Sequence, residues 1–258
     1  VSMVEILTEG EYEYMLAAGK IVAEVLTAMR TAVKPGVSTL ELDKLAYDII
    51  LSHNATPSFL NYGTPPFPGS ICASVNDAVV HGIPSSKVIL KDGDIISVDV
   101  GAYINGYHGD AARTFAVGNV DKKVLLLIER TKQSFFEGLK YCREGYRVGD
   151  ISHAVQEYAE SFGYGVVKPL TGHGIGHNLH QDPDVPNYGR AGRGHRITNG
   201  MGICVEPMIN LGTDDVVMLD DEWTIATADG KPSAHYENTI LITANGPILT
   251  TIEEDANV

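Results

Sequence analysis

Two stretches of this chain repeat one pattern, and that repeat constrains the fold more than any other feature. Lys34-Pro35-Gly36-Val37 leads into Leu40, Leu42, Leu45, Ala46, Ile49 and Ile50, apolar residues at helical spacing. Arg143-Glu144-Gly145-Tyr146 leads into Ile151, Ala154, Val155, Tyr158 and Ala159 with the same spacing. A further apolar-periodic stretch precedes each one, Tyr14 to Ala32 and Val124 to Tyr141, and a β-rich segment follows each. A unit of two helices and strands, present twice, predicts an α+β domain with pseudo-two-fold symmetry, one unit across residues 1–258. A shared site is expected between the halves, where ligand sites often form.

Composition narrows the function. With 44% hydrophobic and 20% charged residues the chain has globular composition and not that of a disordered segment. Lys and Arg total 19 against 33 Asp and Glu, a formal charge of −14. Nucleic-acid readout and docking on an anionic membrane both need the opposite balance, so neither is expected. The three cysteines, Cys72, Cys142 and Cys204, form no CxxC pair and suit a reducing compartment. No apolar run approaches the roughly 18 residues of a membrane span. Val1 to Gly10 carries Glu5 and Glu9 without a basic start, so a cytoplasmic location is expected. The acidic run Glu253-Glu254-Asp255 predicts a solvated end.

The sharpest local prediction is a hairpin. Asp94 to Tyr103 alternates as a strand, Asn105-Gly106 is a two-residue primed turn, and a return strand runs from Tyr107 to about Val117. With Asn105 and Gly106 as the loop, Ile104 pairs with Tyr107 and Asp99 with Ala112. Asp110 then shares the face of Asp99 as its diagonal neighbour, about 7–8 Å away at the backbone. Aspartate is depleted in strands, so two on one face of an apolar hairpin favour a cation site over a solvated face.

Three other segments carry chemistry. Thr171-Gly172-His173-Gly174-Ile175-Gly176-His177-Asn178-Leu179-His180 lacks both the dinucleotide glycine spacing and the P-loop lysine. Its alternating glycines allow close backbone approach, and its histidines offer metal ligands or proton carriers. Taken alone, His177 and His195 read as surface residues. Cys204-Val205-Glu206-Pro207-Met208 and Ser233-Ala234-His235-Tyr236-Glu237 each set a glutamate among apolar, strand-like residues, and a buried carboxylate must neutralise or find a cation. HExxH is absent, so a zincin is not supported. Together Asp99, Asp110, His173, Glu206 and Glu237 supply four carboxylates and one imidazole. Two divalent ions would offset those charges, and such a donor set fits Mn, Fe, Co or Zn.

From about Glu11 to Thr251 the chain resembles the methionine aminopeptidases of the first type. The resemblance rests on Ser70-Ile71-Cys72-Ala73-Ser74-Val75-Asn76-Asp77, Val80-His81-Gly82-Ile83-Pro84, Asp99-Val100-Gly101 and Gly106-Tyr107-His108-Gly109-Asp110. Thr171 to Gly176, His180-Gln181-Asp182-Pro183, Pro186-Asn187-Tyr188-Gly189, Glu206-Pro207-Met208 and Ser233 to Glu237 follow in the same order. It implies the duplicated pita-bread fold and metal-assisted removal of N-terminal methionine from peptides and nascent chains, close to the ribosome, by a monomer. It implies Asp99, Asp110, His173, Glu206 and Glu237 as ligands of two divalent ions, with Glu206 also moving the proton. His81 and His180 match substrate-facing catalytic histidines, and Cys72, Tyr62, Phe67 and Trp223 match the methionine pocket. Leu179 stands where the family often has Phe, Gln181 where Glu is frequent and Asn238 where many relatives have His. Thr64-Pro65-Pro66 resembles a short insertion in the pocket loop. The alternatives are a proline-directed peptidase of the same fold, a non-catalytic binding protein, and metal-free hydrolysis of the creatine type.

Overall fold

Residues 4–253 are described by a computed structural model, and within them each half opens with a helix pair. α1 (Tyr12–Ala32) is followed by α2 (Thr39–Ser52). Gly36, at φ +93°, makes the left-handed turn between them. Ser38 caps α2: its hydroxyl accepts from the Glu41 N–H at 3.2 Å, and the Glu41 carboxylate accepts from the Ser38 N–H at 2.8 Å. The strands that follow are β1 (Thr56–Pro57), β2 (Ile71–Val75), β3 (Ala78–Val80), β4 (Ile95–Ile104) and β5 (Tyr107–Ala116).

The second half repeats this plan with α3 (Lys122–Leu139) and α4 (Val148–Glu160). Gly145 has φ +98°, and the Asp150 carboxylate accepts from the Arg147 N–H at 2.8 Å. Even the lone bridge beside the cap recurs, Ser38 with Ile89 and Arg147 with Arg196. Its strands are β6 (Gly165–Val166), β7 (Thr171–Gly174), β8 (Gln181–Pro186), β9 (Gly202–Val205), β10 (Met208–Asn210), β11 (Val216–Met218), β12 (Ile225–Thr227), β13 (Ser233–His235), β14 (Asn238–Thr243) and β15 (Gly246–Leu249). The expected repeat is therefore present, with helix ends within about one turn of those read from the periodicity.

The sheets share a core topology. β4 pairs antiparallel with β2 and β5, and β9 pairs antiparallel with β7 and β14, so β2, β4 and β5 correspond to β7, β9 and β14. The halves join where β5 lies against β14. The Glu237 N–H donates to the Ala112 carbonyl at 3.0 Å. The Asp110 N–H donates to the Thr239 hydroxyl at 2.9 Å, which donates back to the Asp110 carbonyl at 2.8 Å. A threonine side chain thus stands in for part of a backbone ladder.

Hydrophobic burial follows the same division. Val22, Leu26, Met29, Leu42, Ile50, Val98 and Val100 pack the first helix pair on its sheet, and Phe135, Ile151, Val155, Ile203 and Ile240 do so in the second. A third cluster, with Met15, Phe67, Cys72, Ile175, Leu179 and Leu241, joins the halves. Each fully buried large side chain stabilises the fold by roughly 1.5–3 kcal/mol relative to exposure. Among the described residues no helix is long and apolar enough to cross a membrane.

The chain end departs from expectation. Glu253 is 3% exposed, and its carboxylate meets Arg113 at 2.8 Å and Arg30 at 3.0 Å. An acidic run reads as solvated only while the cations that face it, far away in sequence, are unknown. Glu254 and Asp255 lie outside the described residues.

Candidate metal centre and substrate cavity

The predicted hairpin forms in the predicted register. Ile104 pairs with Tyr107, Asp99 with Ala112 and Gly101 with Asp110. Asn105 and Gly106 have φ of +54° and +88°, as a primed turn requires. Asp99 and Asp110 consequently face one cavity from neighbouring strands. From the other half, His173 enters on β7, Glu206 just after β9 and Glu237 just before β14. The glycines beside His173 serve close approach, as expected. A Cβ on Gly172 would lie 2.3 Å from the Cys204 carbonyl oxygen, and one on Gly174 would lie 2.2 Å from that of Asp182.

The cavity holds about 270 Å³ and has two characters. Its floor carries Asp99, Asp110, His173, Glu206 and Glu237, while Phe59, Tyr62, Phe67, Cys72 and Trp223 line an apolar part. Phe67 and Trp223 meet edge to face at 5.2 Å, and the His81 ring stands 5.9 Å from Trp223. All eleven residues singled out in the sequence line this one cavity. His177 and His195 do not. Leu179 is buried in the cluster behind the wall and does not itself line the cavity.

The donor set fits divalent cations. The His173 Nδ1–H donates to the Gly174 carbonyl at 2.9 Å, which leaves Nε2 with its lone pair. That atom lies 3.5 Å from Glu206 Oε1 and 3.8 Å from Asp110 Oδ2. Burial drops the His173 pKa to about 3, so the ring is neutral and directs a lone pair at carboxylates. One donor atom from each of Asp110, His173, Cys204 and Glu237 lies within 4.8 Å of the others, and the same holds for Asp99, His235 and Glu237. Asp99 Oδ1, Asp110 Oδ1 and Glu237 Oε1 are buried without a hydrogen-bond partner. Burial pushes Asp99 up to about 7. Burial and then neighbouring carboxylates push Asp110, Glu206 and Glu237 well above the usual range. Such groups hold their ionised forms together only around cations.

The remaining polar groups are positioned by specific contacts. His180 Nδ1 lies 2.6 Å from the Tyr62 hydroxyl, and its ring meets that of His173 edge to face at 4.3 Å. His81 has φ +59°, an uncommon backbone state for a residue with a Cβ and one that concentrates at functional sites. Burial lowers its pKa and keeps it neutral. Gln181, the departure beside His180, donates to the Glu5 carboxylate at 2.8 Å and accepts from the Asn178 N–H at 3.2 Å. Glu5 also accepts from the His177 N–H at 3.2 Å, so the segment before α1 ties down the loop that carries His180. With glutamate at 181 two carboxylates would oppose each other there.

Sequence reasoning passed over two residues here, Glu5 and His235. Glu5 carried no local signal. His235 did, because it sits two positions before Glu237 in extended chain, where alternate residues share a face.

The model of Metallopeptidase family M24 matches residues 13–244. The chain belongs to this family. Among M24 relatives it is 53% identical to the methionine aminopeptidase of Clostridium acetobutylicum, over 98% of this chain and 100% of that one. It is 48% identical to methionine aminopeptidase 1 of Bacillus subtilis, over 95% and 98% of the two. The crystal structure of methionine aminopeptidase from Rickettsia prowazekii superposes with a TM-score of 0.94 at 44% identity, covering 97% of this chain and all of that one. Prolidase from Pyrococcus furiosus shares the fold at a TM-score of 0.78 and 22% identity, with 96% of this chain covering 66% of that one. The pita-bread fold of M24 metallopeptidases is thus the fold of this chain.

Proposed function

We propose that this chain removes the N-terminal methionine from peptides and nascent proteins by hydrolysis assisted by two divalent ions. The observation that supports this best is one cavity that joins an aromatic, sulfur-containing wall to a floor of four carboxylates and an imidazole. Relatives named methionine aminopeptidase over nearly their whole length support the same reading.

Asp99, Asp110, His173, Glu206 and Glu237 hold the ions, whose four positive charges offset the four carboxylates. Cobalt, manganese, iron and zinc all suit these donors. Bound there, the ions supply Lewis-acid polarisation and acidify water into a nucleophile at neutral pH. The protein's side chains do the rest. A methionine side chain, flexible and polarisable, packs against Phe67, Cys72, Trp223 and the Tyr62 ring. Its α-amine then meets the acidic floor, which selects a free N-terminus over an internal residue. Burial raises the Tyr62 pKa, so its hydroxyl keeps its proton and donates to His180 Nδ1. His180 is left with Nε2–H to donate to the scissile carbonyl oxygen as charge develops, and His81 makes a second contact to that peptide. Glu206 takes the proton of the attacking water and passes it to the leaving amine.

In this reading the 258 residues act as one catalytic unit. It works as a monomer, in the cytoplasm, on chains emerging near the ribosome. The formal charge of −14 supports a role without nucleic-acid readout. The proline-directed alternative has a shared fold in its favour, at 22% identity. Turnover of a Met-Ala peptide against an X-Pro peptide, with Mn, Co, Fe or Zn added, separates the two. Met-Ala cleavage is expected, and folded protein inactive on it with every one of these ions would overturn the assignment.

A further inference from the structure

The five ligands carried by the family resemblance include a single imidazole, yet a second one, His235, is buried beside the acidic floor of this cavity without lining it. His235 is 1% exposed, and its Nε2 is buried with no hydrogen-bond partner. That nitrogen lies 3.8 Å from Glu206 Oε2 and 3.7 Å from Glu237 Oε2. It also shares a 4.8 Å cluster with donor atoms of Asp99 and Glu237.

Those separations are informative. They exceed the roughly 3.2 Å limit of a good N–H···O hydrogen bond. Two donors each about 2.0–2.2 Å from one ion stand roughly 3–4 Å apart, depending on the angle between them. His173 Nε2 stands at 3.5 and 3.8 Å from its carboxylate neighbours, so the two rings meet the acidic floor alike. The rings belong to different clusters, His173 with Asp110 and Glu237, His235 with Asp99 and Glu237. The backbone holds His235 firmly in that position. Its N–H donates to the Thr114 hydroxyl at 2.8 Å, and that hydroxyl donates back to the His235 carbonyl at 2.8 Å.

The geometry points to His235 Nε2 as a sixth protein ligand, so that each of two metal positions receives one imidazole. This inference rests on the metal-dependent reading of the site. An imidazole at both positions biases the centre towards Fe, Co or Zn and away from all-oxygen ions such as Mg.

X-ray absorption of the protein loaded with two equivalents of Co(II) tests it, because imidazole rings give a distinct outer-shell signature. One imidazole per ion is expected, against one per two ions if His173 is the sole nitrogen ligand. In His235→Gln the imidazole number halves, and titration calorimetry shows one equivalent of Co(II) bound about tenfold more weakly or worse. Circular dichroism of the metal-free variant establishes that it is folded; if it is not, absorption by the wild type decides alone. One imidazole per two ions in the wild type, or an unchanged affinity for both equivalents in folded His235→Gln, overturns the sixth ligand and leaves the five-ligand site standing. A wild type that binds no divalent ion overturns both this inference and the function on which it rests.

Discussion

The two halves of the molecule share a scaffold and divide the chemistry. In the first half the acidic groups are aspartates inside long, regular strands, Asp99 on β4 and Asp110 on β5. In the second they are glutamates at strand ends, Glu206 one residue past β9 and Glu237 one residue before β14. The shorter side chain is used where the strand already faces the cavity, and the longer one where the backbone has left the ladder. The second half adds His173 to the cavity and His235 beside its carboxylates, and the first adds most of the apolar wall, including Phe59, Tyr62, Phe67 and Cys72. The helix pairs and the central strands occur in both halves, while the acidic residues that face the cavity differ in type between them.

The largest expected effect tests whether the halves contribute equally to that cluster. Asp110→Asn and Glu237→Gln, one from each half, should each lower Met-Ala turnover at least about a thousandfold. A variant that keeps near-normal kcat/KM with added metal would remove its half from the centre.

The next tests the seam. Arg113, on β5, donates to the Glu237 carbonyl, to Asn238 Oδ1 at 2.8 Å and to Glu253 Oε2 at 2.8 Å. Arg113→Ala leaves the buried Glu253 carboxylate with the half-exposed Arg30 as its remaining cation, and should destabilise the fold by up to about 3 kcal/mol in urea unfolding. The same pair sets a pH dependence. Burial raises the Glu253 pKa, but the charge and hydrogen bond of Arg113 bring it below its ordinary 4.5. A lowered folded-state pKa contributes stability that is full above about pH 4.5 and lost as pH falls through the lowered value. Glu253→Gln should therefore flatten the acid limb of Tm against pH. An unchanged acid limb would show that the seam does not depend on this charge.

The smallest concerns a contact between the halves across the cavity. Tyr62→Phe keeps the ring and removes the hydroxyl bound to His180, so kcat should fall about tenfold with KM nearly unchanged. A rise in KM alone would make Tyr62 a wall residue and nothing more.

These particulars show why some of the molecule was readable and some was not. The β4–β5 register followed from Asn105-Gly106, because a two-residue primed turn leaves one way to pair the strands. The helix pairs followed from periodicity and the glycines ahead of their caps. The five acidic and histidine groups were legible because their motifs stand in a characteristic order, with glycines marking close approach beside His173. The Tyr62–His180 bond, the tie of Glu5 to Gln181 and the burial of Glu253 gave no comparable signal. Each depends on groups brought together from separate elements.

By itself the sequence determined the two helix pairs and the β4–β5 hairpin, that the plan occurs twice, and that Asp99 and Asp110 share a face, since turn chemistry and side-chain periodicity act over a few residues. Only the tertiary structure decided which cations neutralise Glu253 and that a second imidazole stands at the acidic floor. Charge pairing and ligand geometry depend on distances of a few ångströms between residues that the chain itself holds far apart.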